Sequence, residues 1–246
     1  MITGIVDYPL QNIINVHNFI FVDLIFIFLF VVTCYTSTVY NFRKENFKVR
    51  FHMFHVHSHN TILEIVWTII PCFFIIIFMI PSMALLYLED KIEKSSIVTV
   101  NVIGNQWYWV YEVNTSLFST SFASNLVDVE SLEGESVEAI RLLATDKTLV
   151  LPVGIQTSVY ITSNDVAHSW SVPALGVKVD AIPGRINYIQ IMPTMLGMYS
   201  GMCSELCGVQ HGFMPISLQV VTPTEWVNYY FNTQGGDLDH SDFFEC

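Results

Sequence analysis

Charge is what this sequence has least of. Only 13% of its 246 residues are Asp, Glu, Lys or Arg, while 52% are hydrophobic; soluble domains carry about a quarter charged residues. Lys and Arg together number 10 against 22 acids, a net charge of −12, and so acidic a chain has no natural match to the phosphates of nucleic acid. Residues 1–18 contain no Lys or Arg, which argues against a secretory leader, because such a leader needs a basic start. A chain that opens on Met is expected to have lost no pre-sequence. No internal repeat, low-complexity tract or catalytic triad is visible.

The apolar residues are concentrated in two blocks. The first runs from Phe19 to Cys34 with Asp23 its only charge, and the second from Ile62 to Leu88 with Glu64 near one end. A helix needs ~20 residues to cross the ~30 Å hydrocarbon core, and a buried soluble helix rarely runs so long without polar breaks. The blocks predict transmembrane helices over about 18–41 and 62–88. Pro71 and Pro81 inside the second are tolerable, because neighbours in a membrane re-satisfy the freed carbonyls. Cys34 and Cys72 are expected to pack as small hydrophobes, and Cys246 has no evident partner. The link between the spans carries Arg43, Lys44, Lys48 and Arg50 against Glu45, whereas Asp7 precedes the first span and Glu89 and Asp90 follow the second. The positive-inside rule places the link inside and both termini outside. From Glu89 onward stand 18 acids and 6 bases; an outer domain of that sign suits a cationic partner, although solubility alone accounts for it equally.

Beyond Ser96 the pattern alternates. Ile97 to Ile103, Val137 to Leu143, Ser158 to Thr162 and Ile186 to Met192 read as half-buried strands, split by turns such as that around Gly134, and no amphipathic helix intervenes before residue 222. Short strands at this spacing predict a sandwich or barrel. Thr222, Pro223 and Glu225 form a capping box with proline at the first helical position, predicting a short helix from Thr222 to about Phe231. The tail, 232–246, is acidic and contains glycine.

The densest chemistry lies in Cys203-Ser204-Glu205-Leu206-Cys207-Gly208-Val209-Gln210-His211-Gly212-Phe213-Met214, with His168 upstream. A structural zinc site takes four Cys or His, usually in close pairs; here a methionine would be wasted and His168 is distant. A disulfide between Cys203 and Cys207 would close a very small ring with little entropic benefit. Thiolate, imidazole and thioether together favour copper in an electron-transfer site. A single blue copper uses one Cys, and this chain has two. Two thiolates could bridge two copper ions, each capped by one His and a weaker ligand: Met214 on one side, and a backbone carbonyl such as that of Glu205 on the other.

The chain closely resembles subunit II of the haem–copper cytochrome c oxidases, in order and spacing from about Asn60 to Phe231. The residues that carry the resemblance are NTILEIVWTIIP (60–71), GNQWYWVYE (104–112), DVAHSWSVPALGVKVDAIPGR (165–185) and CSELCGVQHGFMPI (203–216). It implies a binuclear copper centre, CuA, in a cupredoxin-like Greek-key β-barrel, with ligands His168, Cys203, Glu205 through its carbonyl, Cys207, His211 and Met214. It implies that the Glu205 carboxylate helps hold magnesium shared with the catalytic subunit, and that Trp107 is where electrons come in from cytochrome c. Asp180 and Arg185 match positions near the interface facing the haems, and Glu64 a carboxylate at the inner mouth of a proton pathway.

The resulting expectation is a membrane-anchored all-β chain: residues 1–90 hold a two-helix transmembrane hairpin with an inner-side loop, 91–231 a cupredoxin-like CuA domain ending in a short helix, and 232–246 the tail. It would sit in the mitochondrial inner membrane among lipid, with both termini and the CuA domain on the intermembrane-space side. As one subunit of a cytochrome c oxidase, it would take electrons from cytochrome c and pass them to haem in subunit I, for oxygen reduction to water coupled to proton pumping. Other oxidase subunits would be its partners, and two copper ions and magnesium its cofactors. Glu112, Asp146 and Asp165 are candidates for a docking surface toward basic cytochrome c, though each singly reads more readily as a solvated charge. Three departures from the family pattern stand out: Asn105 where His is frequent, Met195-Leu196-Gly197 where Arg-Pro-Gly is common, and Met202 where Gln is usual. The inner loop's His52, His55, His57 and His59 match nothing in the family and read as exposed or subunit-facing rather than metal-binding. A copper-free quinol oxidase subunit, a membrane-anchored copper carrier and the copper domain of nitrous oxide reductase are the rival readings. The intact ligand set, the aromatic strand and the two spans, respectively, weigh against them.

Overall fold

A computed structural model describes residues 8–43, 59–89, 96–127 and 142–233. The chain splits into two compact units, one of them Asn12–Glu89 and the other the remainder. The first contains most of helix α1 (Tyr8–Asn41) and all of α2 (Thr61–Glu89). Both are long and apolar enough to cross a membrane, over Leu10–Asn41 and Thr61–Leu88. α2 follows the expected bounds within a residue. α1 begins ten residues earlier than expected, because Gln11, Asn12, Asn15 and Asn18 interrupt the apolar run without interrupting the helix. At ~1.5 Å per residue its 34 residues extend ~51 Å, well beyond the ~30 Å hydrocarbon slab. Phe19 of α1 meets Phe78 of α2 edge-on at 6.3 Å between ring centroids. The outward faces of both helices are apolar, Phe26, Phe28, Ile62 and Ile75 among them, a surface that needs lipid or protein around it. Cys34 and Cys72 are exposed on these faces rather than packed inside. The expected link histidines His52, His55 and His57 lie outside the described residues. Asn60 starts α2: its side-chain oxygen accepts from Leu63 N at 3.2 Å, as an N-cap does.

Among the described residues the second unit has ten strands. One sheet has the order β3-β2-β1-β5-β8, from Ser119–Ser124, Tyr108–Asn114, Val98–Asn105, Thr157–Ser163 and Asn187–Ile191. A second has the order β4-β10-β9, from Leu149–Pro152, Pro215–Val221 and Gly197–Met202, and β6 (His168–Val172) pairs with β7 (Val177–Ala181). β1 runs parallel to β5 and β10 parallel to β4, the other pairs being antiparallel, so the connections cross between sheets. Alternation does the folding: β1 buries Val98, Val100 and Val102, while β2 buries Trp109, Tyr111 and Val113. These pack on Leu149, Leu151, Ile161, Trp170, Ile216 and Leu218 in one core. β1, β5 and β8 agree within about two residues with the ranges expected over Ile97 to Ile103, Ser158 to Thr162 and Ile186 to Met192, and the other seven strands carried no expected range; the strand expected over Val137 to Leu143 lies largely, and the turn at Gly134 wholly, outside the described residues.

Helix α3 (Pro223–Thr233) runs two residues further than expected. Its capping box is formed: Glu225 Oε2 accepts from Thr222 N at 2.9 Å, and Glu225 N donates to Thr222 Oγ1 at 3.4 Å. Trp226 Nε1 and the Tyr230 hydroxyl both donate to Val150 O, at 3.0 and 3.1 Å, fastening α3 to β4. Of the acidic tail, residues 234–246 lie outside the described residues.

Candidate metal centre

The site forms where three chain segments end together: the start of β6, the loop after β9, and the β1–β2 turn. β6 begins at His168, which is fully buried. Its imidazole lies over Gly104 of β1 so closely that a Cβ on Gly104 would be 2.8 Å from His168 Cδ2. Trp109, opposite Gly104 in the β1–β2 register, packs edge-on to the same ring at 5.9 Å between centroids. On the outer side His168 Nε2 lies 2.8 Å from Asp165 Oδ1. That contact leaves Nδ1 facing inward, 3.9 Å from Cys203 Sγ.

The loop after β9 supplies the rest. Cys203 Sγ and Cys207 Sγ are 3.9 Å apart, nearly twice the ~2.05 Å of a disulfide bond, so they are two separate thiols. Cys207 Sγ lies 3.6 Å from His211 Nδ1 and 3.5 Å from Met214 Sδ, while Cys203 Sγ lies 3.4 Å from the Glu205 carbonyl oxygen. His168, Cys203 and Cys207 donor atoms all fall within 4.8 Å of one another. The array has a core of two sulfurs with one imidazole beyond each, plus a carbonyl next to one sulfur and a thioether next to the other. A single tetrahedral ion takes four ligands; six donors spread along this line suit a pair of soft ions sharing the thiolates.

Both cysteines are buried. Burial, and next the neighbouring Cys203, push the Cys207 thiol up to about 12; without metal it keeps its proton. Asp165 is the opposite case. Partial burial alone would raise its pKa, but the bonds from His168, Val166 N and Gln106 N outweigh that and hold the carboxyl below its ordinary value. Met214 is buried at the end of the loop, and Trp109 Nε1 donates to its carbonyl at 3.4 Å. Gly201, just before the loop, is required by close approach: a Cβ there would fall 1.9 Å from Ser171 O on β6.

The other sequence candidates fall in different places. Trp107 is half-buried, and its ring lies against the metal loop: a Cβ on Gly208 would sit 3.1 Å from Trp107 Cζ2. Its Nε1 is enclosed without a hydrogen-bond partner. The carboxylate of Glu205 belongs to an exposed residue. Asp180 and Arg185 are exposed on and after β7, with Asn187 Nδ2 donating to Asp180 O at 2.5 Å. Glu64, in the first turn of α2, pairs with His59 Nδ1 at 2.8 Å. The acids expected to face a basic partner also have local work: Glu112 accepts from Asn101 Nδ2 at 2.9 Å, and Asp146 accepts from Asn125 N at 2.7 Å. Sequence reasoning missed Asp165 as the partner of His168, although Asp165-Val166-Ala167-His168 carries the signal in its spacing. It also assigned no role to Gln106, although that residue stands in the GNQWYWVYE segment that carries the resemblance.

Two family profiles match the chain: "Cytochrome C oxidase subunit II, periplasmic domain" over residues 98–221, and "Cytochrome C oxidase subunit II, transmembrane domain" over residues 9–85. Cytochrome c oxidase subunit 2 of Oenothera berteroana is 38% identical over 229 residues, covering 91% of this chain and 85% of that protein. The subunit 2 of Schizosaccharomyces pombe is 38% identical over 217 residues, 86% of this chain and 84% of that one. Among solved structures, the periplasmic domain of cytochrome oxidase subunit II from Bradyrhizobium japonicum is similar with a TM-score of 0.52 and 35% identity, over 58% of this chain and 98% of that one.

Proposed function

The chain belongs to the subunit II family of cytochrome c oxidases, and from that premise we propose that it is the electron-receiving subunit of such an oxidase. It accepts single electrons from reduced cytochrome c in its outer β domain. It hands them to haem in the catalytic subunit, where oxygen is reduced to water with coupled proton pumping. The single observation that carries this reading is the sulfur pair of Cys203 and Cys207, 3.9 Å apart, flanked by His168 at 3.9 Å and His211 at 3.6 Å.

His168, Cys203, the Glu205 carbonyl, Cys207, His211 and Met214 are the residues that would hold two copper ions. Bound there, copper supplies a one-electron redox couple. The chain's own residues make that couple fast to use. Every donor is fixed to a strand end or to a loop closed at both ends by sheet, so little rearranges when charge changes. Burial of both thiols and of His168 keeps water off the centre. Asp165 fixes which imidazole nitrogen of His168 faces the sulfurs, as carboxylates do for metal-bound histidines. Trp107, packed on the loop, receives the electron from cytochrome c. The exposed apolar tip formed by Leu206 and Val209, 78% and 91% accessible, gives the loop a surface that another protein can approach closely.

In the same reading the Glu205 carboxylate helps hold magnesium shared with the catalytic subunit, and Asp180 and Arg185 lie toward the haems. Glu64 stands at the inner mouth of a proton pathway. Residues 1–90 anchor the chain in lipid of the mitochondrial inner membrane, and 91–231 form the CuA domain with the tail 232–246 following. Both termini and the CuA domain lie on the intermembrane-space side. The test is Cys207→Ser in the purified oxidase: the expected result is loss of the shared-copper electron paramagnetic resonance spectrum with subunit assembly retained. Persistence of that spectrum in the variant would overturn the ligand assignment.

A further inference from the structure

We propose that Gln106 is a positioning residue that locks the electron-receiving Trp107 onto the metal loop; the inference rests on the function proposed above. Gln106 is exposed at the tip of the β1–β2 turn, yet its hydrogen bonds point inward. Its backbone N donates to Asp165 Oδ2 at 2.6 Å, and its side-chain Nε2 donates to Cys207 O at 2.7 Å. Asp165 in turn holds His168 through its other oxygen at 2.8 Å. One exposed residue is therefore bonded on one side to the carboxylate that orients an imidazole donor. On the other side it is bonded to the carbonyl of a thiol donor.

The next residue is Trp107. Its ring meets the loop at Gly208, where a Cβ would lie 3.1 Å from both Gln106 Nε2 and Trp107 Cζ2, and 3.3 Å from Trp107 Nε1. A side chain at Gly208 would wedge between the turn and the loop, and the φ of +129° there favours glycine as well. The Trp107 indole makes no hydrogen bond of its own to hold it. The amide bond from Gln106 to Cys207 is thus the polar fastening that keeps the ring against the backbone next to a metal donor. Electron transfer between a one-electron haem donor, which is oxidised, and the copper centre, which is reduced, falls steeply with separation. A small shift of a positioned group is enough to cost on the order of tenfold.

The experiment compares wild-type oxidase with Gln106→Met, which keeps the length and apolar stem but removes the donor, and with Gly208→Ala, which presses on the same contact from the other side. Copper per chain and the copper spectrum are measured first. Electron uptake is then timed within a preformed complex with photo-reduced cytochrome c, alongside KM. Amide hydrogen exchange at residues 105–108 is followed in the metal-free chain. The expected result for Gln106→Met is uptake slowed about tenfold at unchanged KM and copper content, with faster exchange at 105–108; Gly208→Ala, which also strains the backbone beside Cys207, is expected to speed exchange at 105–108 in the metal-free chain. Unchanged uptake and exchange would overturn the proposal, and so would a loss of rate that merely tracks lost copper, since that marks a general structural role. Failure of the wild-type protein to show a two-copper spectrum or to take electrons would instead overturn the function on which the proposal rests.

Discussion

Gly104→Ala places a single methyl group where the imidazole of His168 now lies. The added Cβ would be 2.8 Å from His168 Cδ2, 3.1 Å from Cγ and 3.2 Å from Cβ. Yielding is costly on either side. The Gly104 carbonyl accepts from Asn164 N at 3.1 Å and Ser163 Oγ at 3.2 Å, which holds the strand in place. His168 is held by Asp165 on its outer edge and by Trp109 on its face. Overpacking of this kind costs about 1–3 kcal/mol. For a chain of this size that is about 2–4 °C of Tm per kcal/mol, or roughly 2–12 °C in all. Because the ring is the group that must move, copper loading should suffer more than the fold does, and the symmetric two-nucleus hyperfine pattern should be lost. The assay is thermal unfolding of the metal-free, detergent-solubilised chain by near-ultraviolet circular dichroism, followed by copper titration. Gly212→Ala is the control: it lies beside His211, but a Cβ there meets nothing within 4 Å. A Gly104→Ala chain with wild-type Tm and spectrum would refute the packing argument for His168.

The same structure carries three other predictions. Because the Cys207 thiol is pushed up to about 12, copper must displace its proton at neutral pH. Copper affinity measured by chelator competition should therefore fall about tenfold for each pH unit lowered between pH 8 and 6 from this thiol alone, and a pH-independent affinity would contradict the shift. The raised value also means that the metal-free fold keeps this contribution in full below the ordinary thiol value of 9.0 and loses it as pH rises through about 12, which urea titrations across that range would register. Away from the site, Thr222→Ala removes the capping box of α3 and should cost about 1 kcal/mol, a drop of about 2–4 °C in Tm, with the copper spectrum untouched.

The parts of this molecule legible in the sequence are those whose signal is local. Two long apolar runs announced α1 and α2, period-two alternation located β1, β5 and β8, and Thr222-Pro223-Glu225 gave the start of α3 within one residue. The donor cluster was legible because five of its six donors fall within twelve residues of one loop. What the sequence hid is long-range. The start of α1 was misplaced because hydropathy reads composition, whereas the helix continues through polar residues as long as its backbone bonds do. The closeness of Gly104 to His168, and the bonds of Gln106 to Asp165 and Cys207, span 64, 59 and 101 positions and depend on how the sheets pack. The acids Glu112 and Asp146 looked free for a partner because sequence does not show that Asn101 and Asn125 already bind them.

The central claim is that Cys203 and Cys207 hold two copper ions in common. Copper per chain and the electron paramagnetic resonance spectrum of the purified oxidase, with the contribution of its other metals subtracted, test it most directly. The expected result is two copper ions in this chain and hyperfine structure from two equivalent nuclei sharing one unpaired electron. One copper per chain with a single-nucleus pattern would contradict it.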